Sequence, residues 1–493
     1  MERGSGILLH ISSLPSNYGI GTFGKEAFCF IRLLKKTKQK YWQFLPLSPT
    51  GYKDSPYQSF STFALNPYFI DLDDLIQDQL LKQEEVDALT WYHTKDRVDY
   101  GLIYENKEKI LWLAYQRGYA KYQKMIQIFM RKNQFWLEDY ALFMALKKYF
   151  HQQPWTQWEI DYKIKKKNVI HRFQEENQDW IQFYIFCQFI AFKQYQKLKN
   201  FAKANKIQLI GDCPIYVNFD SCDVWANQRL FLLDTQYHPT LVAGVPPDYF
   251  SKTGQLWGNP IYNYEQMKKD DYHWWTLRFQ HLLKLYDYVR LDHFRGFEAY
   301  YAIPFKETTA LHGKWYAGPG KSFFDLMTQK FGQTPFIAED LGMITDSVQL
   351  LKDRYHFPGL KILLFAFDSL DEKHPYLPKN YEKNCIGYIG THDNSPFFEY
   401  VKQNQNGFLN MKKYYQTVDE NTTYEAIMND LFASDANVII LQIQDILKQD
   451  EKSRMNVPGS DQGNWQYRVT HNDFDLKKYE FIVKLTIKHQ RND

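Results

Sequence analysis

The sequence is poor in cysteine, has little net charge and contains no long apolar run. Its five cysteines (Cys29, Cys187, Cys213, Cys222, Cys385) are scattered and odd in number, with no C-x-x-C spacing. Neither a disulfide framework nor a zinc site is indicated. Sixty basic against 57 acidic side chains leave a formal charge of +3, too even a balance for a nucleic-acid footprint. The one basic run, "KIKKK" at 163–167, reads as a solvated helix face or loop. No stretch of 18 apolar residues is present, so no helical membrane span is expected. The opening "MERGSGILLHISSLP" lacks the basic and apolar regions of a signal peptide. A reduced, cytoplasmic enzyme is the expected class. Internal repeats and low-complexity linkers are absent too. Aromatic residues, by contrast, are plentiful: 37 Tyr, 37 Phe and 13 Trp. Most of these rings belong in a core, but the excess suits a cleft for ring-shaped ligands.

Eight short apolar or β-branched runs recur along the chain, at 6–10, 41–47, 207–212, 288–292, 335–340, 360–367, 385–393 and 437–442. Most are separated by stretches of helical character, and strands alternating with helices predict a parallel sheet. Eight such units predict an α/β fold of the (β/α)8 barrel type. The second and third runs are too far apart for one crossover helix. Helical periodicity at 135–150 and 180–205 places a mainly helical insertion at about 75–180. One catalytic barrel over 1–493 is expected, with no separate C-terminal β-sandwich domain.

In barrel enzymes the chemistry sits at the C-terminal strand ends. The fourth run, "YVRLD", ends at Asp292, the fifth at Glu339–Asp340 and the seventh at His392–Asp393. Carboxylates on neighbouring strands can stand about 5–5.5 Å apart, the separation for double displacement at a glycosidic carbon. Arg290 lies two residues before Asp292, so the pleat puts both side chains on one face. A guanidinium there favours the ionised carboxylate that a nucleophile must be. Glu339, facing like charges at Asp292 and Asp393, should have a raised pKa that suits a general acid/base. Asp393 becomes the third carboxylate, gripping hydroxyls and favouring an oxocarbenium-like transition state. His392–Asp393 follows a strand, and no other His/Asp group has ligand spacing, so no metal site is expected. His293 is given no role.

Long ordered motifs carry a resemblance across almost the whole chain. They include "DSPYQSFSTFALNPYFIDL" (54–72), "VAGVPPDYFSKTGQLWGNPIY" (242–262), "RLDHFRG" (290–296), "AEDLG" (338–342), "GTHDN" (390–394) and "RMNVPGSDQGNW" (454–465). The chain resembles the 4-alpha-glucanotransferases of glycoside hydrolase family 77, in the α-amylase clan. That resemblance implies a retaining mechanism, with Asp292 as nucleophile, Glu339 as acid/base and Asp393 as stabiliser. It also implies sugar contacts from Ser55, Tyr57, Asp248, Arg290 and His392. Asp212 matches the clan's strand-three acid and is expected to scaffold the site, while Asn464 is expected to reach the donor sugar. One departure follows Asn394: Ser395–Pro396 stand where many members carry an acidic residue.

The segment 242–262 is expected as an active-site lid loop. Pro246–Pro247 stiffen one end, Gly244, Gly254 and Gly258 widen the accessible backbone angles, and Tyr249, Phe250 and Trp257 lie between them. An aromatic lid would stack on glucose rings and exclude water. The expected activity is transfer of a glucan segment to the 4-OH of an acceptor, with no cofactor. The expected partners are maltooligosaccharides and other α-1,4-glucans, not nucleic acid or a membrane, and the chain is expected as a monomer or homodimer. An α-glucan hydrolase shares the nucleophile and acid/base and differs in what takes the intermediate. A glucan-binding protein with a dead site would lack one of the three acids, and all three are present.

Overall fold

The computed structural model describes residues 1–247, 251–460 and 462–492. Its core is one parallel sheet of eight strands. They are β1 (Gly4–Leu8), β2 (Tyr41–Gln43), β3 (Gln208–Cys213) and β4 (Tyr288–Leu291). The second half adds β5 (Phe336–Ala338), β6 (Gly359–Ile362), β7 (Cys385–Tyr388) and β8 (Val438–Gln442). The ladder runs β6-β7-β8-β1-β2-β3-β4-β5, so the first and last strands pair in its middle, Gly4 opposite Val438. Each predicted run overlaps one of these strands, although β1, β3 and β6 extend one or two residues beyond their runs. Several runs outlast their strands because their polar ends turn out of the ladder at the C-terminal rim. Strands such as "VIILQ" are buried along their whole length, as expected where helices cover the outer face of a parallel sheet and the strands' own side chains fill the inner one.

The two ends of the ladder meet at a seam that a side chain bridges. Between β5 and β6 the main chain supplies one bond, from Ala338 N–H to Pro358 O at 2.9 Å. Asp340 takes over the rest: its Oδ1 accepts the Leu360 N–H at 2.7 Å and its Oδ2 meets Lys352 Nζ at 2.8 Å. Gly359 makes room for it, since a Cβ there would lie 2.3 Å from Asp340 Oδ2. A near-closed (β/α)8 barrel results.

Between β2 and β3 the chain is mainly helical, as expected. Helix Tyr100–Lys132 is capped by Asp99, whose side chain accepts the Leu102 N–H. This helix and Leu137–Tyr149 both pack on Gln178–Ala204, which in turn packs on Lys25–Lys36 and β3. The last helix is buried nearly all round. Two of its glutamines grip the segment after β2: Gln188 bonds both main-chain groups of Leu65, and Gln194 those of Asp71. The basic run at 163–167 links two short helices, with Lys165 on Asp139 and Lys166 on Asp161.

Residues 242–262, expected as a loop, are largely strand. Leu241–Val245 and Gln255–Pro260 pair antiparallel, and Ala299–Pro304 and Lys314–Ala317 complete a four-stranded sheet on the rim. The sequence pattern missed this sheet because its strands are short and its outer members are exposed. After β8 the described residues form short helices and no strand.

Replacing Asp340 by Ala should destabilise the fold by about 3 kcal/mol, because it orphans the Leu360 N–H and leaves buried Lys352 with only the half-exposed Glu382 carboxylate at 3.8 Å. Thermal unfolding followed by circular dichroism checks this; an unchanged midpoint would show that the seam does not depend on the pair.

Candidate active site

The residues that end β3, β4, β5 and β7 converge on one cleft of about 630 Å³ at the C-terminal rim. Leu291 of β4 lies opposite Ala338 of β5, so the register carried one residue further sets Asp292 beside Glu339. Main-chain bonds fix that step: Glu339 N–H to Leu291 O and Phe294 N–H to Glu339 O, both 3.1 Å. Asp393 comes from the turn after β7, where Asn394 Oδ1 accepts from the Thr391 N–H and hydroxyl. That turn sends His392 inward and leaves Asp393 half open to the cleft.

Arg290 is the charge centre. Its Nη1 lies 2.8 Å from Asp292 Oδ1 and within 2.9 Å of both Asp212 oxygens. The side chains of Arg290 and Asp212 are 6% and 0% exposed, a degree of burial that charges tolerate only when paired. Burial works against the guanidinium charge, but the facing carboxylates of Asp212 and Asp292 outweigh it and raise its pKa. Burial pushes the Asp212 carboxyl up, with Arg290 and the Tyr57 hydroxyl opposing. Tyr57 Oη donates to Asp212 at 2.8 Å and lies 2.9 Å from His392 Nε2, with the two rings stacked. Ser55 Oγ accepts the Tyr57 N–H at 3.2 Å. His392 Nε2 is 3.4 Å from Asp393 Oδ2.

Glu339 is held differently. Its two oxygens accept main-chain N–H bonds from His293 at 2.7 Å and Leu341 at 3.0 Å. Its pKa is raised to about 7, first by burial and then by the Asp292 charge, against the pull of Arg290 and the two N–H donors. The sequence argument expected like charges to be the main cause. Burial is larger, and Asp393 is not among the main contributors.

The expected residues Ser55, Tyr57, Trp257, Arg290, Asp292, Glu339, His392 and Asp393 all line the cleft. Asp212 lies beneath it, as a scaffold. Asp248, Tyr249 and Phe250 lie outside the described residues. Asn464 does not line the cleft: its Oδ1 accepts the Val457 N–H and its Nδ2 donates to Ser460 O, both 2.9 Å, tying a loop together. The side chain that reaches a catalytic group from that loop is Asn456, whose Nδ2 donates to Asp393 Oδ1 at 2.6 Å. Asn456 and Trp465, which lies tilted against His392, fall in "RMNVPGSDQGNW", so the motif marked them and residue-type reasoning passed over them. His293, given no role, has a left-handed φ of 48° that accompanies its N–H bond to Glu339. Its ring meets Trp257 edge to face, and its Nε2 is buried without a partner. Trp315, under the Arg295 guanidinium at 4.1 Å, lines the wall from the unpredicted sheet. Among the described residues no cluster of His, Cys, Asp or Glu forms a metal-binding set, and no helix is long and apolar enough to cross a membrane.

Fold and site together point to a class: a (β/α)8 barrel with carboxylates at neighbouring strand ends, the arrangement used by enzymes that act on glycosidic bonds. The 4-alpha-glucanotransferase family model matches residues 9–473. The 4-alpha-glucanotransferase of Clostridium butyricum is 43% identical over 482 residues, covering 97% of this chain and 99% of that one. That of Thermus thermophilus is 40% identical, covering 95% of each. The amylomaltase from Streptococcus agalactiae in complex with acarbose superposes with a TM-score of 0.97 at 36% identity, over the full length of both chains. The chain belongs to the 4-alpha-glucanotransferase family.

The Glu339 carboxyl has a folded pKa near 7, above its ordinary value of 4.5. Its contribution to stability is therefore complete below about pH 4.5 and lost as pH rises through about 7. Glu339→Gln forfeits one of the two N–H bonds at every pH, a constant offset. Relative to wild type, the variant should therefore gain stability between pH 5 and pH 8. Unfolding midpoints of both proteins at the two pH values test the sign; a gap that does not change with pH contradicts the raised pKa.

Proposed function

We propose that this chain carries out its family's reaction, transfer among α-1,4-glucans, by double displacement with Asp292 as nucleophile and Glu339 as acid/base. In the first half, an Asp292 oxygen attacks the anomeric carbon as the C1–O4 bond breaks, and Glu339 gives its proton to the departing O4. In the second half, the acceptor's 4-OH attacks C1, its proton passes to Glu339, and the bond from C1 to Asp292 breaks. Asp393 and His392 hold the hydroxyls of the reacting sugar and favour its oxocarbenium-like state. The observation that carries this reading is the contrast between neighbours in register: Asp292 lies against Arg290, while burial raises Glu339 to about 7. Two carboxyls in such unlike environments fit two different roles.

Transfer rather than hydrolysis is supported by the cleft wall. The hairpin 241–260 brings Trp257 against His293 and Tyr216, and Trp315 adds a second indole to the lining. Such a wall disfavours water and offers faces to an incoming sugar. Maltooligosaccharides are the substrates, and the acarbose bound by the Streptococcus agalactiae enzyme fits a site for α-glucans here.

Maltotriose alone, followed by chromatography, should yield glucose and a ladder of longer maltooligosaccharides. Asp292→Asn should abolish both, by at least about 10⁴-fold, as expected for loss of a group whose role belongs to the reacting unit. Glucose and maltose without longer products would make the protein a hydrolase. In the wild type, kcat/KM should fall as pH rises above about 7, where Glu339 loses the proton it must donate; a rate that stays flat to pH 9 would count against Glu339 as the acid.

A further inference from the structure

The active cleft shares a wall with a second pocket, of about 430 Å³. Ser55, Gln58, Asn456 and Trp465 belong to both linings. The rest of the second lining is largely polar, with Asp54, Ser460, Gln462 and Gln466, a composition suited to sugar hydroxyls. This pocket opens on the Asp393 side. Trp465 lies between the two, against Tyr57 and His392, whereas Leu341, Gly342 and Met343, which follow Glu339, do not line it. In the reaction proposed above the leaving group departs towards Glu339. The chain retained on Asp292 must leave on the side away from Glu339, and the second pocket adjoins the cleft through Asn456 and Trp465, away from the segment that follows Glu339.

The shared wall is also mechanically connected to the chemistry. Asn456 donates to Asp393 Oδ1 at 2.6 Å. Arg454 holds both in one frame, its Nε donating to Asn456 O at 2.9 Å and its Nη2 to Asp393 O at 3.0 Å. Its Nη1 is anchored on Ser395 Oγ at 2.8 Å and pairs with buried Glu399 at 3.4 Å. At the far end, Asn464 ties Val457 and Ser460, residues that themselves line the second pocket. One short segment therefore lines the second pocket with one end and bonds the Asp393 carboxylate with the other.

We propose that the 454–465 segment reads donor length: glucose units filling the second pocket hold it in place, and Asn456 thereby fixes the Asp393 carboxylate in its working orientation. Remote binding energy is then used at the reacting centre, so it appears in kcat and not only in KM. Asn456 and Asn464 are positioning residues in this scheme. The inference rests on the transfer reading above.

The test compares maltotriose and maltoheptaose as donors, with saturating ¹³C-glucose as acceptor and labelled products read by mass spectrometry. In the wild type, kcat should be higher for maltoheptaose by about tenfold or more, the lower end expected when one hydrogen bond to a charged group is secured. Asn456→Ala and Asn464→Ala should each pull that ratio towards one. A wild-type ratio near one would overturn the proposal, and so would variants that raise KM for maltoheptaose while keeping the ratio. In either case labelled transfer products would leave the transfer reading intact. Their absence from the wild type would remove both.

Discussion

The site depends on one guanidinium. Arg290 is buried between Asp212, next to last in β3, and Asp292, which follows β4, and it meets carboxylate oxygens of both. Neither Arg290 nor Asp212 could stay charged at that depth alone. Through Asp212 the cluster reaches Tyr57, on the segment after β2, and through Tyr57 it reaches His392, beyond β7. Strand ends that are far apart in the sequence are therefore brought to one point by a single cation and its partners. The position of Asp292 follows from that arrangement.

Glu339 works under the opposite constraint. Among the described residues it has no ion pair, only two main-chain N–H donors: His293, which sits in a left-handed conformation in the turn after β4, and Leu341, two residues beyond Glu339 itself. Such backbone conformations are costly for residues other than glycine and persist where the surroundings impose them. Here the surroundings are the Phe294–Glu339 main-chain bond and the Trp257 ring against the imidazole. The same turn thus shapes the surroundings of Glu339 and part of the cleft wall.

Much of this was legible in the sequence because barrel strands and their polar ends are local patterns. Alternating strand and helix runs gave the eight strands, and their charged last residues gave Asp292, Glu339 and Asp393. The pleat alone placed Arg290 beside Asp292. What escaped was non-local. The rim sheet pairs strands from two separate excursions, and nothing in "KWYA" announces that Trp315 reaches the cleft. In the loop after β8, the sequence does not separate an asparagine that ties main chain, as Asn464 does, from one that bonds a cleft carboxylate, as Asn456 does. Burial as the main cause of the Glu339 shift was hidden too, since it depends on everything packed around the strand end. Asp340 was read only as the end of a strand, whereas its role at the seam depends on a lysine one helix away.

The ladder order has a consequence for how the molecule is made. Because β1 pairs with β8, the first strand to leave the ribosome needs a partner that lies more than four hundred residues downstream. Its other edge can join β2 almost at once, but at about 5–20 residues per second the open edge waits tens of seconds for β8. The barrel's hydrogen-bonded continuity across its termini is thus a late event in synthesis, preceded by a long interval in which an apolar strand has an uncovered side.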